Sequence, residues 1–194
     1  MTGVLQCLPT QACQNATQQG HRSGTSVAIK AIKTFGSRKQ WGAALYLFDE
    51  ASRAREKING ALYTVTIGAC GKGGQWHHAL SLLGGMAGAM LERNVICYSV
   101  GINACRTGEQ WQQALSLLSE MWDVVLNPDV IIYNSCISAC EKCGMWEQAL
   151  ALLSDMREAK LDPDSATTLG SARARKAGSG SVHFCCSARC PRQR

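Results

Sequence analysis

Trp41, Trp76, Trp111 and Trp146 stand 35 residues apart, and each opens nearly the same phrase: WGAALYLFDEA, WHHALSLLGGM, WQQALSLLSEM, WEQALALLSDM. A chain that returns to one phrase at a fixed interval of this size is built from stacked copies of a small supersecondary unit. In the unit at 95–129, Tyr98, Ile102 and Cys105 fall at i, i+4 and i+7, one apolar stripe of a helix. After a break at Gly108, the residues Trp111, Ala114, Leu115, Leu118 and Met121 draw a second stripe. Ile32, Ile67, Ile102 and Ile137 hold the same place in all four units. Each period therefore holds two helices, of roughly 15 residues apiece with their turns. A helix pair this small cannot bury its own stripe, but stacking on the next pair does so, and the fold class is an all-α solenoid.

The punctuation fits. Asn59, Asn94, Asp129 and Asp164 each directly precede an apolar helical run, where a helix N-cap belongs. Gly73 with Gly74, Gly108 and Gly144 are expected to stop the first helices by taking the left-handed exit conformation. Pro128 and Pro163 close the later units. The units, 25–59, 60–94, 95–129 and 130–164, are unequal in quality. The first keeps Ile32, Trp41, Ala44 and Leu45 but lacks the tyrosine and the closing proline. The second carries Gly84, Gly85 and Gly88 inside its second helix, at a cost of about 1 kcal/mol each, which marks the expected soft element. Residues 1–24 form an N-terminal tail. Residues 165–194 begin like another first helix and then dissolve into Gly, Ser and Arg, a degenerate partial repeat with a basic, Cys-containing end.

Charge is partitioned. Residues 1–48 hold five Lys/Arg and no acid, and 165–194 hold six and no acid, while 49–164 carry nine bases and fourteen acids, a net of 9 − 14 = −5. This is no uniformly basic clamp, so phosphate attraction must come from the flanks or from local placement within the repeats. The acid-free start is compatible with an organelle transit segment, and it lacks the basic-then-apolar order of a secretion signal. The stretch 79–91 is too short and glycine-rich to cross a bilayer. Of the eleven cysteines, Cys70, Cys105 and Cys140 are one repeat position counted three times, expected as small buried side chains. His183, Cys185, Cys186 and Cys190 offer soft ligands in the tail, but adjacent cysteines suit one tetrahedral ion poorly, and no metal or cofactor is expected. His77 and His78 read as solvated surface, and no catalytic constellation is visible, so an enzyme is not expected.

A 35-residue helix pair with Tyr-Asn near its start and Pro-Asp at its end, as in VIIYNSCISACEKCGMWEQALALLSDMREAKLDPD at 130–164, resembles the pentatricopeptide repeat family. The resemblance is good at 95–129, moderate at 60–94, and rests on the Trp-x-x-Ala-Leu phrase alone at 25–59. It implies a right-handed superhelical solenoid that binds single-stranded RNA, with one base read per repeat. The family's two base-choosing positions fall on Thr64 with Asn94, Ser99 with Asp129, and Asn134 with Asp164, a series that implies adenine, guanine and uracil. Its base-sandwiching positions fall on Ala61, Ile96 and Ile131. Lys72 and Lys142 match lysines that approach phosphates, and Thr107 breaks that pattern. The resemblance further implies RNA processing, stability or translation in a mitochondrion or chloroplast, without chemistry of the chain's own. A protein–protein scaffold, or a fragment of a longer repeat protein, are the alternatives.

Overall fold

The structure, a computed structural model, describes residues 24–53 and 59–162. Among them are eight helices and no strand: α1 Gly24–Ser37, α2 Trp41–Arg53, α3 Gly60–Lys72, α4 Trp76–Gly88, α5 Val95–Thr107, α6 Trp111–Asp123, α7 Val130–Lys142 and α8 Trp146–Glu158. Odd-numbered helices are the first of each unit and even-numbered ones the second. From α2 onward each helix has 13 residues, somewhat fewer than the periodicity suggested, because both ends of the pair need residues for caps.

Those caps repeat with the sequence. Asn59, Asn94 and Asp129 take extended backbone, and their side-chain oxygens accept from the amides of Leu62, Cys97 and Ile132 at 2.9, 3.0 and 2.9 Å. Each removes one orphan donor from a helix start. The first helices end by turning one residue left-handed and bonding the next amide back to the buried cysteine carbonyl: Gln75 to Cys70, Gln110 to Cys105, Met145 to Cys140. The second helices do the same onto a buried methionine, with Leu91, Leu126 and Leu161 donating to Met86, Met121 and Met156.

The glycine expectation needs correcting here. Gly74 and Gly144 are left-handed, at φ +74° and +71°, but Gly73 and Gly108 are not, at φ −82° and −86°. In the 95–129 unit the left-handed residue is Glu109. Gly73 and Gly108 are small for another reason. A Cβ on Gly73 would lie 2.7 Å from the Trp41 ring, and one on Gly108 would lie 2.8 Å from Cγ of Trp76. Trp41 and Trp76 are each laid across the end of the next unit's first helix. These rings are half-buried wedges at the edge of the stack, not its centre. The second helices end on left-handed Met90, Val125 and Lys160, before any proline is reached.

First helices pack on first helices, α1 on α3, α3 on α5 and α5 on α7, while α2, α4 and α6 each pack on their own partner and on the next unit's first helix, and α8 packs on α7. Gly36 and Gly71 allow the close approach: a Cβ on either would sit 2.9 Å from the methyl of Ala69 or Ala104. The main core runs from Tyr63 to Met156, with Tyr98, Ile102, Met121, Tyr133, Ile137 and Met156 sealed from solvent. Each such side chain contributes about 1.5–3 kcal/mol by leaving water. A smaller cluster around Ile32, Phe35, Leu47 and Leu62 serves the first unit, and Phe48 meets Tyr63 edge-on at 4.8 Å. Arg93 pairs with Glu120 at 2.6 Å and lies 5.5 Å above the Tyr98 ring, tying the end of one unit to both helices of the next. Despite its three glycines, α4 is one continuous helix.

Candidate nucleic-acid interface

Because first helices stack side by side, equal positions in successive units form rows across the stack. The row nearest the helix starts is Ala61, Ile96 and Ile131. All three are exposed, and Ile96 and Ile131 are 62% and 66% accessible although bulky and apolar. Packing gives no reason for isoleucine at such a place, since neighbours such as Cys97 and Ile132 fill the core.

One turn further along lies the row Thr64, Ser99, Asn134, each half-buried. The half-burial follows from position, since these residues lie in the seams between successive first helices. The Thr64 hydroxyl donates to Gly60 O at 2.7 Å and lies 3.3 Å from the Cys97 sulfur of the next unit. With its proton engaged by the backbone, Thr64 offers a partner only an acceptor lone pair. Ser99 has no hydrogen-bond partner among the described residues and can offer both donor and acceptor.

Asn94 and Asp129 are exposed, and both cap their helices through one oxygen, Oδ1. The remaining atom differs: Asn94 keeps an amide donor and Asp129 a carboxylate acceptor. Capping therefore explains why the position is Asn or Asp, and leaves the distinction between them chemically available. Asp164 lies outside the described residues, as do the tail residues His183, Cys185, Cys186 and Cys190.

The lysine row stands at the helix ends. Lys72 and Lys142 are both exposed, and Lys142 Nζ lies 3.5 Å from Arg106 O of the preceding unit. Thr107 has a structural task, its single hydroxyl proton shared between Gly71 O of the preceding unit and Ala104 O, both at 2.8 Å. Sequence reasoning passed over two residues here. Asn103 and Arg106 occupy the places that Gly68 and Gly71 hold one unit earlier, in the seam between first helices. The Arg106 guanidinium donates to Asn103 Oδ1 through Nε at 3.0 Å and Nη2 at 2.7 Å. The signal was legible, since the seam position reads Gly36, Gly71, Arg106 at the repeat interval.

The remaining chemistry-bearing side chains are elsewhere. His77 and His78 are exposed on α4, with the His78 ring 5.4 Å from that of Trp41. Cys70, Cys105 and Cys140 are sealed in the stack, and burial pushes each thiol up to about 11. Burial also raises Cys136. Neutral, enclosed thiols are packing groups. Among the described residues no helix is long and apolar enough to cross a membrane.

Comparison with known proteins agrees with this architecture. The PPR repeat family matches residues 128–168, and the PPR repeat matches 61–89. Among curated proteins no sequence gives a significant match. The PPR domain of Arabidopsis thaliana protein-only RNase P 1, solved in complex with tRNA, superposes with a TM-score of 0.71 at 14% identity, over 81% of this chain and 83% of that one. The pentatricopeptide repeat protein PPR10 from maize gives 0.73 at 16% identity, over 86% of this chain but only 24% of its own. PPR10 in complex with an 18-nt psaJ RNA element gives 0.71 at 17%, over 83% of this chain and 24% of that one. At these identities the likeness concerns the fold. With its 35-residue helix pairs, capped starts and repeat-family matches over 61–89 and 128–168, the chain carries pentatricopeptide repeats.

Proposed function

We propose that the chain binds single-stranded RNA along its row of first helices and performs no chemistry of its own. One observation carries the reading: Ile96 and Ile131 stand exposed at equivalent places, each one turn from a half-buried polar residue, Ser99 or Asn134. Apolar side chains beside hydrogen-bonding ones suit unstacked bases, which present faces and polar edges together. The RNA complexes among the similar structures support the same partner. In this reading Thr64 with Asn94, Ser99 with Asp129, and Asn134 with Asp164 choose the bases. Ala61, Ile96 and Ile131 hold them, and Lys72 and Lys142 approach the phosphates.

Stacking on aromatic side chains contributes about 1–3 kcal/mol per base and contact with aliphatic ones less, so three units of this quality give an affinity of about micromolar or weaker. The test is titration of an oligonucleotide containing AGU against a scrambled control. Ile96→Ser with Ile131→Ser should weaken both and leave the thermal melt in place, while Asn134→Ala should erase the preference between them. Equal binding of both sequences by the parent chain refutes base selection, and no binding at low salt refutes the function. We further propose service in a mitochondrion or chloroplast, on the acid-free first 48 residues. A reporter fused behind residues 1–24 that stays cytosolic would refute that. A protein-binding scaffold has one observation in its favour, the exposed Trp122, Val124 and Val125 at the end of α6. A single protein partner that survives nuclease, with no RNA bound, would establish it instead.

A further inference from the structure

Of the seams between first helices, two are closed by glycine and one is not. Gly36 meets Ala69, and Gly71 meets Ala104, at distances that leave no room for a Cβ. In the α5–α7 seam the same place holds Arg106, which faces Ala139 by the repeat. Cys143 likewise stands where Gly73 and Gly108 lie under a tryptophan, and its sulfur reaches Glu109 O at 3.1 Å. Two glycines of the tight seams are thus replaced by larger side chains in this one. A backbone separation that admits only Gly against Ala cannot admit Arg, so α5 and α7 stand further apart at this level.

The opened seam is polar. Ser99, Asn103 and Arg106 follow at i, i+4 and i+7 down one face of α5, where the earlier seam has Thr64, Gly68 and Gly71. Arg106 is half-buried, its guanidinium is held by two bonds to Asn103 Oδ1, and no carboxylate pairs with it among the described residues. Lys142 brings a second cation to the backbone of the same residue. A planar cation fixed by a neutral amide keeps further N–H donors for an oxyanion, and fixing it beforehand lowers the entropy lost on binding.

Resting on the RNA-binding reading above, we infer that Arg106, oriented by Asn103, binds a phosphodiester of the strand at the 95–129 unit. It thereby supplies the cation that Thr107 does not. Arg106 is the contacting residue and Asn103 a positioning residue.

The experiment is a salt series of single-stranded RNA titrations with the full chain. Each phosphate contact contributes about −0.7 to the slope of log affinity against log salt. Arg106→Gln should make the slope shallower by about 0.7, with the preference between AGU and scrambled sequences retained, and Arg106→Lys should restore the slope. Arg106→Gly, which copies Gly36 and Gly71, removes the charge while letting the seam close, and serves should the glutamine variant not fold. Asn103→Leu should weaken binding several-fold at unchanged slope. If the parent chain binds RNA and neither charge-removing variant changes the slope, the inference is overturned and the wider reading stands. If the parent chain binds no RNA, both fall.

Discussion

Replacing Gly108 with alanine separates two explanations of a helix-ending glycine. At φ −86° and ψ 4° the residue takes a backbone open to any amino acid. By conformation alone, Gly108→Ala should stabilise the chain by about 0.4–1 kcal/mol, because alanine has less freedom to lose on folding. Sterics oppose this. The new Cβ would lie 2.8 Å from Cγ and 3.0 Å from Cβ of Trp76, atoms near the root of a large side chain that cannot swing aside without leaving its groove. Overpacking of this kind costs about 1–3 kcal/mol, so a net loss of about 1–2 kcal/mol is expected. Urea denaturation followed by helical circular dichroism measures it, read as a shifted midpoint. Gly74→Ala is the contrasting control. Nothing lies within 4 Å of its Cβ position, but φ is +74°, so its cost, about 1–2 kcal/mol, is entirely backbone. The double variant Trp76→Leu with Gly108→Ala should then cost less than the sum of its parts, while Trp76→Leu should not relieve Gly74→Ala. A Gly108→Ala protein within about 0.5 kcal/mol of the parent, or one unaffected by shrinking Trp76, would refute the wedge.

Asp129→Ala should destabilise by about 1 kcal/mol through loss of the cap on α7, while Asp129→Asn keeps the melt and changes only base preference, as oligonucleotide titration would show. Gly84→Ala and Gly85→Ala should each stabilise α4 by about 1 kcal/mol in the same urea assay, since the nearest atom to either new Cβ is Tyr63 at 3.9 Å. The buried thiols predict alkaline sensitivity. Cys70, Cys105 and Cys140 rise from an ordinary 9.0 to about 11, so above pH 9 the unfolded chain releases protons that the folded chain retains. Stability should be level below pH 9 and fall between 9 and 11. Replacing the three by alanine should flatten that fall, and an unchanged pH profile would contradict the assigned burial.

How much was legible follows the repeat. The tyrosine–isoleucine–cysteine stripe and the buried Ala114, Leu118 and Met121 were readable because helical spacing alone places them on one side. The Asx caps were readable because they precede apolar runs. Gly108 was misread: a glycine after a helix suggests a left-handed exit, but only the neighbouring unit's Trp76 explains why no side chain fits. Left-handed Glu109 and Val125 carry no sequence mark, since the bonds to Cys105 and Met121 hold those turns.

The sequence by itself determined the period, the two helices per unit and the polar residue one turn into the first helices of the last three units, because these depend on spacing along one chain. Tertiary structure decided that Gly36 and Gly71 bring two pairs of first helices too close for a Cβ. It also decided that Ile96 and Ile131 face outward, that Thr64 has its proton engaged, and that Arg106 is held by Asn103. Contacts between units arise only when one helix meets the next, and residues about 35 positions apart carry no local signal of the distance between their backbones.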